Sequence, residues 1–331
     1  HEAAEAVAFP SARSAITACL LALGSGPGDE VLATGFTCAA VAEGIMASGA
    51  KPVWVDVDPA RFAMSPEALE LAVTPRSRAV LVQHTFGLSG DLRAIEAVAR
   101  RRGLRIIGDA ALAVGSQGGG APLVNFGDAA VVSFELSKTI SAGWGGLAQT
   151  NDAAMAAGLR RVRDGAGRLG RARAASRLAQ AGFSKAVYSP GLLRYAGYPA
   201  AALFRARCFR DSSSHTSPSQ EGRGAAAVRP YMAAQAGAHW AVLESQLSRM
   251  DVVLASHRVA AERYTAVLAG HGAGAWLGWR DAGTVMIRYP LVARDRGRMA
   301  AWFGARGIEL GRWFDYAISP APVDPAACNY V

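Results

Sequence analysis

Short apolar runs alternate with amphipathic stretches through the first 150 residues. Runs of strand length occur at 30–34, 52–57, 79–84, 105–109, 129–134 and 146–150. Between them, 65–73 and 92–102 carry apolar residues at helical spacing, and 11–23 (SARSAITACLLAL) passes from a small-residue turn into an apolar helix. Strands separated by helices predict an α/β domain built on a mostly parallel sheet sandwiched by helices. Residues 24–29 and 115–122 read as turn-rich loops, and 211–224 (DSSSHTSPSQEGRG) as a flexible one. Further on, the pattern predicts one long helix over 233–268, a strand over 284–290 and a helix over 294–306. The expected division is a large domain over 1–232 and, over 233–331, a long helix with an incomplete, smaller C-terminal α/β domain.

Composition narrows this picture. The chain has 331 residues, half of them hydrophobic, enough for a sizeable core. No apolar run reaches the length of about 18 residues that a membrane span needs, and the first ten residues lack the features of a signal peptide. A soluble, cytoplasmic protein is expected. The four cysteines, Cys19, Cys38, Cys208 and Cys328, form no CxxC pair, so neither a zinc site nor a redox motif is predicted. The net charge is +9, yet only Lys51, Lys138 and Lys185 are lysines; the other 32 basic residues are arginines. No basic-aromatic ladder points to nucleic acid. The excess fits anionic small molecules or a solvated arginine surface.

Lys138 is the first chemical candidate. It follows the apolar strand AAVVSF in SFELSKTISAGWGG, at the carboxyl end where open α/β sheets place ligands. Arginine cannot form an imine, so in a lysine-poor chain a lysine here suits a role needing a primary amine; an ordinary surface lysine is the alternative. Asp109 ends the apolar strand of RIIGDAALAVGS, and an unpaired carboxylate there is costly to bury. A cationic partner resolves the cost, and the protonated pyridine nitrogen of pyridoxal-5′-phosphate (PLP) is such a partner. The alternative is an N-cap for a helix over AALAV. The turn Ala12–Arg13–Ser14 opens a helix whose free N–H groups suit a phosphate, and Ser133 adds a second hydroxyl. These serines equally read as a helix cap and a backbone-bonded strand residue.

In order and spacing these blocks resemble the DegT/DnrJ/StrS-type aminotransferases, PLP enzymes of fold type I acting mostly on nucleotide-linked keto-sugars. The resemblance runs from Ser11 to Asp152. Its landmarks are SARSAI, GPGDEVLATGFTCAAVAEGIMASGAKPVWVDVD, TPRSRAVLVQHTFG, DLRAIEAVARRRGLRIIGDAALAVGS and FGDAAVVSFELSKTISAGWGGLAQTND. The resemblance implies that Lys138 holds PLP as a Schiff base and Asp109 partners the pyridine nitrogen. It places Ser133 and Ala12–Arg13–Ser14 at the phosphate. It also implies a homodimer, an amino-acid donor and a keto substrate, with neither nucleic acid nor membrane as partner.

Several positions depart from the family pattern. Cys38 stands where a bulky aromatic stacks on the cofactor ring, and Leu112 where Gln or His approaches the cofactor hydroxyl. Gly143-Trp144-Gly145-Gly146 replaces Gly-Glu-Gly-Gly, and no Asn-Tyr-Arg segment is recognisable near Tyr231–Met232. Two other functions stay open: a different PLP reaction such as elimination or dehydration, and a non-catalytic regulatory protein on the same fold. The sugar dehydratases of this family carry His in place of the lysine, so Lys138 favours transamination.

Overall fold

The computed structural model describes residues 5–167, pieces between 172 and 183, then 237–270, 281–293, 295–306 and, near the end, 308, 310 and 311. Its centre is a seven-stranded sheet: β1 (Glu5–Phe9), β2 (Glu30–Thr34), β3 (Lys51–Val55), β6 (Ser77–Gln83), β7 (Arg105–Asp109), β10 (Ala129–Ser133) and β11 (Gly146–Thr150), in the order β1-β11-β10-β7-β6-β2-β3. The block from β10 to β3 is parallel, and β11 and β1 are antiparallel additions. Two small hairpins, β4–β5 (Val57–Asp58, Ala63–Met64) and β8–β9 (Gln117–Gly118, Ala121–Pro122), sit in connections.

Both faces of the sheet are covered, which is why its strands are almost wholly apolar. On one face Val31, Ala33, Leu81, Ile107 and Val131 meet α1 (Ala12–Ala22), α2 (Ala39–Met46) and α5 (Ala153–Gly165). On the other, Leu32, Val80, Val82 and Ile106 meet α3 (Pro66–Ala72) and α4 (Leu92–Arg101). Each fully buried Leu or Ile in these layers contributes about 1.5–3 kcal/mol. The helices start where the sequence supplies caps: Ser11, Ser65, Asp91 and Asp152 each accept a backbone N–H. Helix α4 stops at Gly103, φ +68, with Leu104 N–H returning to the Ala99 carbonyl, a glycine-closed end.

The connections from β2 run in opposite directions across the sheet. Strand β3 lies on one side of β2 and β6 on the other, so a topological switch point opens at the carboxyl ends of β2 and β6.

Three expectations need correction. The helix expected over 233–268 is two, α6 (Gly237–Leu247) and α7 (Met250–Gly270). The break falls at Ser248–Arg249, where the Ser248 hydroxyl bonds back to the Ser245 carbonyl. The segment 284–290 is no strand. Its Val285 N–H and C=O are both satisfied by the Ser116 hydroxyl, at 2.8 and 3.1 Å, leaving them nothing for a neighbouring ladder. AALAV after Asp109 forms turns and no helix. Strand β1 was not anticipated from the pattern; it pairs along β11 over five residues. The expected boundary at 232–233, the loop 211–224 and Tyr231–Met232 lie outside the described residues.

Candidate active site

Strand alternation decides which side chains meet. Gln83, Asp109 and Ser133 continue the face of Leu81, Ile107 and Val131, the face that carries α1 and α2. Register places Gln83 opposite Asp109 and Asp109 opposite Val131, so these three positions form one row across three parallel strands at their carboxyl ends. Just past that row, Lys138 N–H closes a turn on the Glu135 carbonyl at 3.0 Å. The turn is held from within: Glu135 accepts the Ser137 N–H and hydroxyl at 3.0 and 2.6 Å. Beneath it, Phe134, Ile140 and Ala142 pack with Leu243 of α6.

Asp109 is 5% exposed and accepts one hydrogen bond, from Ala111 N–H to Oδ1 at 3.0 Å. Burial pushes its carboxyl above the ordinary 3.8, while that N–H and the Lys138 charge pull it back. Among the described residues, Oδ2 has no hydrogen-bond donor. The half-buried Lys138 side chain makes no hydrogen bond or ion pair among them either. The half-buried Cys38, at the cap position of α2, belongs to the same neighbourhood. Burial pushes its thiol up, and Lys138, Asp109 and Arg13 all act on it electrostatically.

The start of α1 completes the rim. Ser11 pairs with Gly145 in a parallel bridge, and the backbone of Ser11–Ala12 rests on Gly146. Any Cβ at Gly146 would collide with the Ala12 nitrogen, so only glycine admits this approach. The Ser14 hydroxyl is committed to the cap, bonded to Ser11 Oγ at 2.7 Å and donating to Ser11 O at 3.1 Å. Arg13 is paired with Glu43 of α2 at 2.5 Å. The anion-binding capacity of this turn therefore lies chiefly in its backbone N–H groups. Ser133 is buried and accepts a long bond from Glu135 N–H at 3.5 Å. Leu112 is buried in the turn after Asp109.

The structure adds residues that the sequence reading passed over. Gln83 bridges the ends of β2 and β6: Thr37 donates to its oxygen, and its amide donates to Phe36 O at 3.2 Å and Thr85 Oγ1 at 2.7 Å. The signal was the one used for Asp109, a polar residue ending an apolar strand. His84 points to the opposite face, against Phe126 at 5.6 Å between ring centroids. Burial pushes its imidazole down to about 3, so it is neutral; its backbone N–H supports Asp109 O at 3.0 Å. A cavity of 420 Å³ between α4 and residues 118–128 is lined by none of the candidate residues.

A family model, that of the DegT/DnrJ/EryC1/StrS aminotransferase family, matches residues 1–184, more than half of the chain. The chain belongs to this family. It is 42% identical over 162 residues to a UDP-N-acetyl-3-dehydro-alpha-D-glucosamine 3-aminotransferase of Acidithiobacillus ferrooxidans, covering 49% of this chain and 44% of the relative. It is 44% identical over 150 residues to a pleiotropic regulatory protein of Geobacillus stearothermophilus, covering 45% and 40%. The chain thus spans less than half the length of these curated relatives. The crystal structure of a DegT DnrJ EryC1 StrS aminotransferase from Brucella abortus superimposes with a TM-score of 0.65 over 96% of this chain and 76% of that one, at 24% identity. That likeness carries the fold: the mostly parallel sheet between helices is the fold type I architecture.

Proposed function

We propose that the protein is a PLP-dependent aminotransferase that moves an amino group from an amino acid to a keto-sugar carried on a nucleotide. The observation that carries this reading is that Lys138, which makes no hydrogen bond or ion pair among the described residues, lies within electrostatic reach of the buried Asp109 carboxylate, whose Oδ2 has no hydrogen-bond donor among them. PLP, when bound, supplies the aldehyde that takes up the amino group and the ring that receives electrons. Asp109 would hold the pyridine nitrogen in its protonated form through its carboxylate charge. The N–H groups of Ala12 and Arg13, with the Ser133 hydroxyl, would hold the phosphate, while the Ser14 N–H serves the Ser11 cap beside them; the glycine at 146 keeps that cradle open. Cys38 and Leu112 would line the ring. Lys138 would hold the cofactor through its amine and, once released, could carry the proton taken from the donor's α-carbon. In this reading the protein works as a homodimer in the cytoplasm, each subunit with a large unit over 1–232 and a smaller one over 233–331. The keto-sugar assignment draws on the Acidithiobacillus relative's name.

The test is covalent trapping. Purified protein reconstituted with PLP and reduced with borohydride is expected to carry the cofactor on the peptide containing Lys138, and Lys138→Ala to carry none. Irreversible labelling of Lys138→Ala at the wild-type level would overturn the assignment. A wild-type protein that traps PLP but turns over no amino donor would favour the regulatory reading.

A further inference from the structure

The 420 Å³ cavity between α4 and residues 118–128 lies at the amino rim of the sheet, where Arg105 opens β7 at the end opposite Asp109. Its volume falls within the range of roughly 300–1,000 Å³ typical of small-molecule sites. Leu92, Glu96 and Arg100 recur every four residues, so α4 turns a single face to it. Leu104, Arg105 and Ile106 enter from the start of β7. Hairpin β8–β9 closes another side, and Gly118 admits it, because a Cβ there would crowd the side chains of Ser89, Leu92 and Leu123. Leu104, Ile106 and Leu123 are buried and, with Leu92 and Phe126, give the cavity an apolar wall.

Charges of both signs line the same cavity, and each sign has an unused group. Arg100 donates to Glu96 through Nε, at 3.1 Å, and through Nη2, and both bonds land on Oε1. Oε2 of Glu96 accepts nothing among the described residues. Arg105 meets Asp128 through Nε at 3.2 Å and donates to Asp152 through Nη2 at 3.3 Å, while its Nη1 makes no hydrogen bond among them. Asp128 is fixed in turn, since its Oδ2 accepts the Ile106 N–H at 2.7 Å. The cavity thus offers an acceptor for a cation, a donor for an anion and apolar surface beside them. A ligand of one charge uses half of this; a zwitterion with an apolar group uses all of it.

We propose that this cavity is a second binding site, for a free amino acid with an apolar side chain. Its ammonium goes to Glu96 Oε2, its carboxylate to Arg105, and its side chain against Ile106, Leu123 and Phe126. The proposal is independent of the aminotransferase reading, because the cavity is lined by none of the residues placed around Lys138.

The test is calorimetric titration of the full-length protein with L-phenylalanine, with melting temperatures checking that each variant folds. Binding is expected in wild type. Ala121→Trp, which fills the cavity from an exposed position, is expected to abolish it. Binding that persists in folded Ala121→Trp would lie elsewhere, the Lys138 site included, and would overturn the proposal. Glu96→Gln changes a partly exposed side chain and does not depend on the tryptophan variant folding. It is expected to weaken L-phenylalanine about 10-fold and to leave 3-phenylpropanoate, which has no amino group, unchanged. L-Phenylalaninamide, which lacks the carboxylate, should bind wild type about 10-fold more weakly than L-phenylalanine, and glycine should not bind. No binding of L-phenylalanine to wild type would overturn the proposal. So would equal losses of L-phenylalanine and 3-phenylpropanoate in Glu96→Gln, or glycine binding as tightly as L-phenylalanine.

Discussion

Two carboxylates are covered at opposite ends of the same sheet, and they are treated in opposite ways. Glu30 opens β2 at the amino rim. It accepts from Thr74 at 2.5 Å and from Arg76 through two N–H groups at 3.1 and 2.8 Å. The Thr74 hydroxyl, aided by Arg76, holds its carboxyl below the ordinary 4.5. Asp109 closes β7 at the carboxyl rim with one backbone N–H, and burial drives its carboxyl the other way. Glu30 is complete within the chain and ties the strand to the loop before β6. Asp109 is incomplete among the described residues, and a buried carboxylate short of hydrogen-bond donors is a mark of a site where a further group completes it. On the proposed reading, the difference separates a structural carboxylate from a functional one.

The sharpest way to break that comparison is to remove each charge while keeping its shape. Asp109→Asn keeps the bond from Ala111 N–H and loses only the charge. Amine transfer is expected to slow by about 10²-fold or more, as for other preorganised electrostatic partners, while the cofactor-free protein melts no lower than wild type. Wild-type single-turnover rates in Asp109→Asn would remove this residue from the chemistry and leave it a turn residue.

Glu30→Gln should do the reverse, with amine transfer intact and stability reduced. Arg76 is two-thirds exposed, so solvent screening limits the loss to about 1 kcal/mol. For a chain of this size that is a drop of about 2–4 °C in melting temperature. Calorimetry on the two variants side by side reads it; a loss of rate without a loss of stability in Glu30→Gln would end the division of roles.

The parallel sheet was legible because its strands are buried on both faces and separated by amphipathic helices, so their apolar runs stand out along the chain. Lys138 and Asp109 were legible for a related reason: each is a polar residue after an apolar strand, where burial has to be explained. Gln83 carried the same mark and was passed over, because its partners Thr37 and Phe36 are 46 and 47 residues away. The contacts of residues 284–290 were illegible in principle. Val-Met-Ile reads as a strand, but whether it pairs with a neighbour or with the Ser116 hydroxyl depends on a contact 169 residues distant. The commitment of Arg13 to Glu43 is likewise set by how α1 and α2 pack. Local pattern reports which residues are buried; it does not report what they are buried against.

The smallest and most discriminating effect is in how stability varies with pH, because the two carboxylates predict opposite signs. The folded state lowers the Glu30 carboxyl below 4.5. Its stabilisation is therefore fully present above the unfolded carboxylate value and is lost as pH falls through the lower folded value. The folded state raises the Asp109 carboxyl above 3.8. Its favourable contribution is present below the unfolded value, where the group is neutral in both states, and is lost as pH rises through the higher folded value. Melting temperatures of cofactor-free wild type, Asp109→Asn and Glu30→Gln, taken between about pH 3 and pH 8, isolate each group. The gap between Asp109→Asn and wild type should open upward as pH rises past the ordinary carboxylate range. The gap for Glu30→Gln should open downward over the acid limb and then stay constant. Two gaps of the same sign would mean that Asp109 is compensated inside the chain, and PLP would no longer be needed to account for it.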